Sequence, residues 1–270
     1  MFAKKSFGQH FLHDKSVIKK IITAAEITPR ETILEIGPGH GILTQALVDA
    51  GASVIAIEAD RDLIPDLKEK FGNRAHLLFG DVLKFSTAKL LNYPIIKLPN
   101  YKLVSNLPYN IASAVLEKFL ADEHSPTRMV VMVQREVADR ILAKPGDMSV
   151  LSVACQLYAD VKRVCNVFPG AFHPMPKVDS TVVQLDRSLR MDKRSVTNRN
   201  NVEQVIQLAK LGFVSRRKQL QGNLGKKYGT ERVKMTLCDI GLNDKARAQE
   251  LSVDQWIELW ERLVDSRLSI

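Results

Sequence analysis

The sequence predicts an α/β protein built on a mainly parallel sheet, followed by a smaller all-helical, basic domain. Three observations carry this reading. Short apolar runs alternate with helical periodicity up to about residue 186, the pattern of βαβ units. Strand-like runs then disappear, and four amphipathic stretches follow. Charge divides at the same place: Arg187 to Ile270 holds 17 Lys/Arg against 10 Asp/Glu, whereas residues 1–186 hold 22 against 20.

Taken in order, Lys15 to Ile27 reads as an amphipathic helix, with Val17, Ile18, Ile21, Ile22 and Ala25 at helical spacing and Asp14 or Ser16 at its start. Thr32 to Ile36 is a buried strand that runs into Gly37-Pro38-Gly39-His40-Gly41. Ile42 to Ala50 is helical and stops at Gly51. Ser53 to Ile57 is a second strand, closed by Glu58. Arg61 to Phe71 is helical; His76 to Phe79 is a third strand, closed by Gly80-Asp81. Lys102 to Ser105 is a fourth strand leading into Asn106-Leu107-Pro108-Tyr109. Helix Ala112 to Leu120, strand Arg128 to Gln134 and helices Glu136 to Ala143 and Ser152 to Tyr158 follow. Lys162 to Phe168 and Thr181 to Leu185 form a closing antiparallel pair. The last four helices are Asn201 to Leu211, Ser215 to Leu224, Thr230 to Ile240 and Ser252 to Val264. The fourth opens on a capping box, Ser252 with Gln255, and carries Trp256, Leu259, Trp260 and Leu263 on one core-facing stripe. The domain boundary falls in the polar stretch Arg187 to Ser195, giving domains 1–188 and 189–270.

Composition excludes several classes. No apolar run reaches the roughly 18 residues a membrane helix needs, and Met1 to Gln9 has no apolar core after its lysines, so no secretory leader is expected. Cys155, Cys165 and Cys238 are far apart and form no C-x-x-C pair. With no H-E-x-x-H among the six histidines, no metal is expected. A net charge of +9, concentrated in the C-terminal third, fits a polyanionic partner, because neutralising phosphates releases counterions.

Glu35-Ile36-Gly37-Pro38-Gly39-His40-Gly41 lies where a parallel sheet binds ligands, beyond a strand's carboxyl end. A dinucleotide fingerprint would need a small third residue where Ile42 stands. G-x-G-x-G after an acid fits better, and resembles the first motif of class I S-adenosylmethionine methyltransferases. Glu58, seventeen residues after Gly41, can accept both ribose hydroxyls of such a cofactor, and Asp81 would sit beside its adenine. Asn106-Leu107-Pro108-Tyr109 resembles the motif of methyltransferases that act on the exocyclic amine of a base. The residue types fit that chemistry. An adenine N6 lone pair is delocalised into the ring, and accepting its two protons favours the pyramidal, attacking form. Asn106 supplies a side-chain carbonyl, and the backbone carbonyl of Leu107 or Pro108 supplies a second acceptor. Pro108 fixes the turn, and Tyr109 can stack on a flipped base. No strong general base is then needed.

Three further stretches, Phe7 to Asp14, Phe172 to Ser180 and Phe213 to Leu220, complete a resemblance to the ribosomal RNA adenine dimethyltransferase family, and within it to the bacterial small-subunit branch. The resemblance covers nearly the whole chain. It implies a seven-stranded Rossmann-like class I methyltransferase domain with a helical C-terminal domain. It implies a cytoplasmic, monomeric enzyme without membrane contact. Its reaction would be N6,N6-dimethylation of two adjacent adenosines in the 3′-terminal hairpin loop of small-subunit (16S) rRNA, on free rRNA or an assembling 30S subunit. It implies cofactor contacts at His10, Leu12, Gly37, Gly39, Glu58, Asp81 and Asn106, with His10 standing where many members have Asn. Tyr109 and Phe172 become the stacking pair. Ser215 would cap a helix presenting Arg216, Arg217 and Lys218 to RNA phosphates. Met148 to Val153 departs from the family's usual Tyr-Gly-Arg-Leu-Ser-Val. Three alternatives share parts of this pattern: a large-subunit rRNA methyltransferase of the macrolide-resistance type, a non-catalytic rRNA-binding assembly factor, and a DNA adenine methyltransferase, for which the small helical domain is a poor base reader.

Overall fold

A computed structural model describes residues 9–86, 100–187 and 199–264. Phe7 and Gly8 of the first family stretch, and Ser188 to Ser195 of the expected boundary, lie outside the described residues. The chain divides into two compact units, one of Met1–Ala138 with Asp160–Arg187, the other of Asp139–Ala159 with Ser188–Ile270. A single cut after residue 188 therefore does not describe the molecule.

The first unit holds a seven-stranded sheet of β2 (Thr32–Ile36), β3 (Ser53–Glu58), β4 (Ala75–Phe79), β5 (Tyr101–Asn106), β6 (Arg128–Gln134), β7 (Ala159–Val167) and β9 (Ser180–Arg187). The spatial order is β4-β3-β2-β5-β6-β9-β7. The pairs from β4 through to β6 are parallel, and β9 joins β6 antiparallel. All five residues of β2 are buried, as are Met129 to Val133 of β6, which is why their runs are apolar on both faces. Helix α1 (Lys15–Ala25) starts where the Asp14 carboxylate accepts the Ser16 and Val17 amides at 2.7 and 3.3 Å. It seats Val17, Ile18, Ile21 and Ala25 against β5, β6 and β9. Helices α2 (Ile42–Asp49), α3 (Ile64–Phe71) and α4 (Ala112–Ala121) follow β2, β3 and β5. The order reverses between β2 and β5, a topological switch point where such sheets open a crevice.

One element has no counterpart in the sequence reading. β1 (Phe11–Leu12) and β8 (Phe172–His173) form a separate two-stranded sheet, pairing Phe11 with His173 and Leu12 with Phe172. Helix α5 (Arg135–Ile141) leads out of the first unit.

In the second unit, α6 (Val150–Tyr158) packs on α7 (Arg199–Gly212) and on α10 (Val253–Leu263). That packing is why Asp139–Ala159 joins the helical unit rather than the sheet. The divergent stretch Met148 to Val153 builds the start of α6, where Ser149 and Ser152 form a capping box. Helices α8 (Leu220–Tyr228) and α9 (Thr230–Asp239) complete the bundle. The stripe on α10 is core, with Trp256, Leu259, Trp260 and Leu263 all buried, and the Ser252–Gln255 capping box forms.

The helix expected from Ser215 begins instead at Leu220. Residues 214 and 216–218 are exposed, Val214 at 74%, so no buried stripe holds them in a helix. The Lys218 amide donates to the Ser215 carbonyl in a turn, and the Asn223 side-chain amide donates to the carbonyls of Gly212 and Ser215. Among the described residues no helix is long and apolar enough to cross a membrane.

Candidate active site

At the switch point lies a cavity of about 430 Å³, walled by the ends of β2 to β5 and by β1. Most of the expected site residues line it: His10, Leu12, Gly37, Gly39, Glu58, Asp81 and Asn106 through Tyr109.

The floor is the glycine loop. Gly39 has a φ of +58°, and a Cβ there would lie 2.8 Å from Phe11 Cδ1. Gly41 has a φ of +72° and would meet Phe71 at 2.5 Å. Both positions need glycine for conformation and for space. Glu58, buried at the end of β3, holds the loop in place. Its Oε2 accepts the Gly39 amide at 3.1 Å and its Oε1 the Asp60 amide at 2.8 Å. Burial pushes the Glu58 carboxyl above its ordinary range, and these amides pull it back. Asp60 in turn accepts from Gln9 Nε2 at 2.8 Å, tying the N-terminal segment to β3. Asp81 is exposed at the rim, with Oδ1 accepting the Leu83 amide at 3.0 Å.

The opposite wall is the Asn106 turn. Asn106 Nδ2 donates to the His10 carbonyl at 3.2 Å. The amide is thereby oriented, and Oδ1 is left without a protein partner among the described residues. The Pro108 carbonyl already accepts the Ile111 amide at 3.1 Å, and the Leu107 amide donates to Met132 at 3.1 Å. Of the two candidate backbone acceptors, Leu107 is therefore the open one. The Tyr109 hydroxyl hydrogen-bonds Ser180 Oγ at 2.7 Å, and burial raises its pKa. His10 Nδ1 donates to the Pro174 carbonyl at 2.7 Å, leaving the ring to stack on Tyr109 with centroids 5.5 Å apart.

Two expectations about the site change. Phe172 is 3% exposed, belongs to the hydrophobic core beside its strand partner Leu12, and does not line the cavity with Tyr109. Tyr109 has His10 as its ring neighbour instead. Arg216, Arg217 and Lys218 are exposed in the turn before α8 rather than on a helix. Arg217 and Lys218 there share a cleft with Arg247, a cation the sequence reading did not single out.

In the sequence Glu35 stands out only as the acid preceding the glycines. It lines the cavity at 1% exposure; among the described residues its Oε2 has no hydrogen-bond partner, and the nearby Thr44 hydroxyl makes no well-formed bond either. Burial pushes its carboxyl up to about 8, with the Glu58 charge adding to the rise and Thr44 opposing it. The signal for it lay in β2, where one acid stands inside an otherwise buried apolar run.

Residues 2–265 match the family described as Ribosomal RNA adenine dimethylase. The chain belongs to the ribosomal RNA adenine dimethylase family. A ribosomal RNA small subunit methyltransferase A from Synechococcus elongatus is 40% identical over 98% of this chain and 96% of its own length. Its counterpart from Dehalococcoides mccartyi is 39% identical over 95% and 87%. Among solved structures, a dimethyladenosine transferase from Plasmodium falciparum superposes with a TM-score of 0.76 at 26% identity, over 93% of this chain and 96% of that one. The 23S rRNA methyltransferase ErmE superposes with a TM-score of 0.74 at 28% identity, over 94% and 99%. Members of this family use S-adenosylmethionine. The site accommodates it: the glycine cradle leaves room that a Cβ would fill, and the Glu58 carboxylate faces the same cavity.

Proposed function

We propose that this chain transfers methyl groups from S-adenosylmethionine to N6 of two adjacent adenosines in the 3′-terminal hairpin loop of small-subunit rRNA, giving N6,N6-dimethyladenosine. The observation that carries the reading is the Asn106 turn. Its amide is fixed by the His10 carbonyl, and two acceptors, Asn106 Oδ1 and the Leu107 carbonyl, stand open beside the cavity. Together they accept the two protons of an adenine amine and favour its attacking form. Tyr109 offers a ring face to the extruded base. When bound, the cofactor supplies a methyl group on a sulfonium, an excellent leaving group. Glu58 would take its ribose hydroxyls, Asp81 its adenine, and Gly37, Gly39, His10 and Leu12 would shape its seat. Arg216, Arg217 and Lys218 would contact rRNA phosphates from the helical unit. The 39–40% identical relatives support small-subunit rRNA over the large-subunit alternative.

Methyl transfer from labelled cofactor to small subunits that lack the modification, followed by nucleoside analysis, tests the reading. The expected product is N6,N6-dimethyladenosine; labelled large-subunit RNA with unlabelled small subunits would overturn it. Glu58→Gln removes a charged acceptor while keeping the shape. Calorimetry with S-adenosylhomocysteine is expected to show affinity about tenfold or more weaker, since hydrogen bonds to charged groups contribute roughly 1.5–3 kcal/mol.

A further inference from the structure

The first unit is close to electrically neutral, yet its charges are not evenly spread. On the face where α1 passes β7 and β9 runs a cleft of about 530 Å³. Lys19 and Lys20 line it from the helix, and Lys162 and Arg163 from the strand. All four are exposed. Lys19, Lys20 and Lys162 have no ion-pair or hydrogen-bond partner among the described residues. Among the described residues that line the cleft the one acid is Glu26, which is paired through Oε2 with Arg128 at 2.9 Å. Thr23 adds a hydroxyl along the helix.

β7 is an edge strand, and cations on an edge strand also deter pairing with another chain. That accounts for Lys162 and Arg163 without any ligand. It does not account for Lys19 and Lys20, which sit on a helix and point into the same cleft. Three lysines without a partner among the described residues, with Arg163 beside them on two facing elements and Glu26 held by Arg128, suit a chain of phosphates.

A short stretch of chain links the cleft to the active site: Leu12 lines the catalytic cavity, and Ser16, four residues on, lines the cleft. At about 1.5 Å of rise per helical residue, Lys19 and Lys20 follow within roughly 8 Å of the start of α1.

We infer that the α1–β7 cleft is a second RNA-binding surface, which grips the backbone of the RNA whose base occupies the Asn106 cavity. The inference rests on the rRNA methylation proposed above. It adds a contact on the methyltransferase unit to the one expected at Arg216, Arg217 and Lys218. The methyltransferase unit then orients its own substrate, and the helical unit does not do all the holding.

The test measures binding of a fluorescein-labelled RNA hairpin, with two adjacent adenosines in its loop, to the full chain at stepped KCl concentrations. The variant Lys19→Gln/Lys20→Gln/Lys162→Gln removes three exposed charges and no core contact. Lys68→Gln/Arg74→Gln/Lys84→Gln removes as many beside β4, the opposite edge strand. Each phosphate contact contributes about 0.7 to 0.9 to the slope of log affinity against log salt. The cleft variant is expected to lose about 2 from the steepness of that slope and about tenfold in affinity near 0.1 M salt. The control is expected to change little, and both should bind S-adenosylhomocysteine like the parent. Equal losses in the two variants, or an unchanged slope in the cleft variant, would overturn the cleft while leaving the methylation reading intact. A parent chain that neither binds nor methylates RNA would overturn both.

Discussion

Replacing Asn106 by Ala is expected to lower methyl transfer at least a hundredfold while leaving RNA affinity within about twofold, because one aimed polar group at a reacting centre is worth about 10²–10³ in rate. The side chain lies between two walls of the cavity. Nδ2 is engaged by the His10 carbonyl, and Oδ1 has no partner among the described residues. Truncation removes the open acceptor and releases the N-terminal segment from the turn. Asn106→Asp separates these effects: it keeps an acceptor oxygen but sets carboxylate oxygen against the His10 carbonyl. Single-turnover transfer and RNA binding measured on both variants check the assignment. If RNA binding falls as far as transfer, Asn106 shapes the turn and does not act on the amine.

Glu35→Gln should remove most of a pH dependence from the stability of the cofactor-free chain. The folded-state carboxyl titrates near 8, against 4.5 for its ordinary value, chiefly because it is buried. Below pH 4.5 the group is neutral in both states and adds no pH dependence. Between 4.5 and about 8 the unfolded chain ionises first, so folding becomes less favourable as pH rises, and above 8 the loss levels off. At about 1.4 kcal/mol per pH unit, the interval amounts to several kcal/mol. Glu58 is shifted in the same direction, so the variant should retain a shallower slope. The readout is the slope of denaturant stability between pH 5 and 8, because the new amide brings buried donors of its own. Parallel slopes in parent and variant would mean that Glu35 keeps its charge in the folded protein.

The sheet and the cavity were legible for different reasons. β2, β3 and β6 are buried on both faces, so their apolar runs stand out, and a parallel sheet puts motif residues at strand ends. The positions of Gly39, Glu58, Asp81 and Asn106 around one cavity follow from that alone. The β1–β8 pair was not legible, because two-residue strands have no period to detect. Phe172 shows the limit of residue type: an aromatic beside a conspicuous motif can face a ligand or the core, and here the Leu12 pairing turns it inward. The sequence puts the start of α8 too early because Leu220 and Leu224 extend back to Ser215 at plausible spacing, while the Asn223 side chain holds the Gly212 and Ser215 carbonyls in a turn. The basic cleft was hidden for another reason. Net charge over 186 residues averages away an arrangement that only the packing of α1 beside β7 creates.

The chain leaves the sheet at Ala138, runs through α6 and returns at Asp160 before it leaves again after Arg187. The backbone therefore stitches the helical unit on at three places. Trimming the protein at Arg187 would not yield a self-sufficient catalytic half. It would strip α7 and α10 from α6, whose Leu151, Val153, Ala154, Cys155 and Leu157 are buried in the intact chain, and leave a sticky helix in mid-sequence. In evolutionary terms, such a path makes the helical unit hard to lose or exchange by a single recombination, because any crossover after the sheet arrives one helix too late.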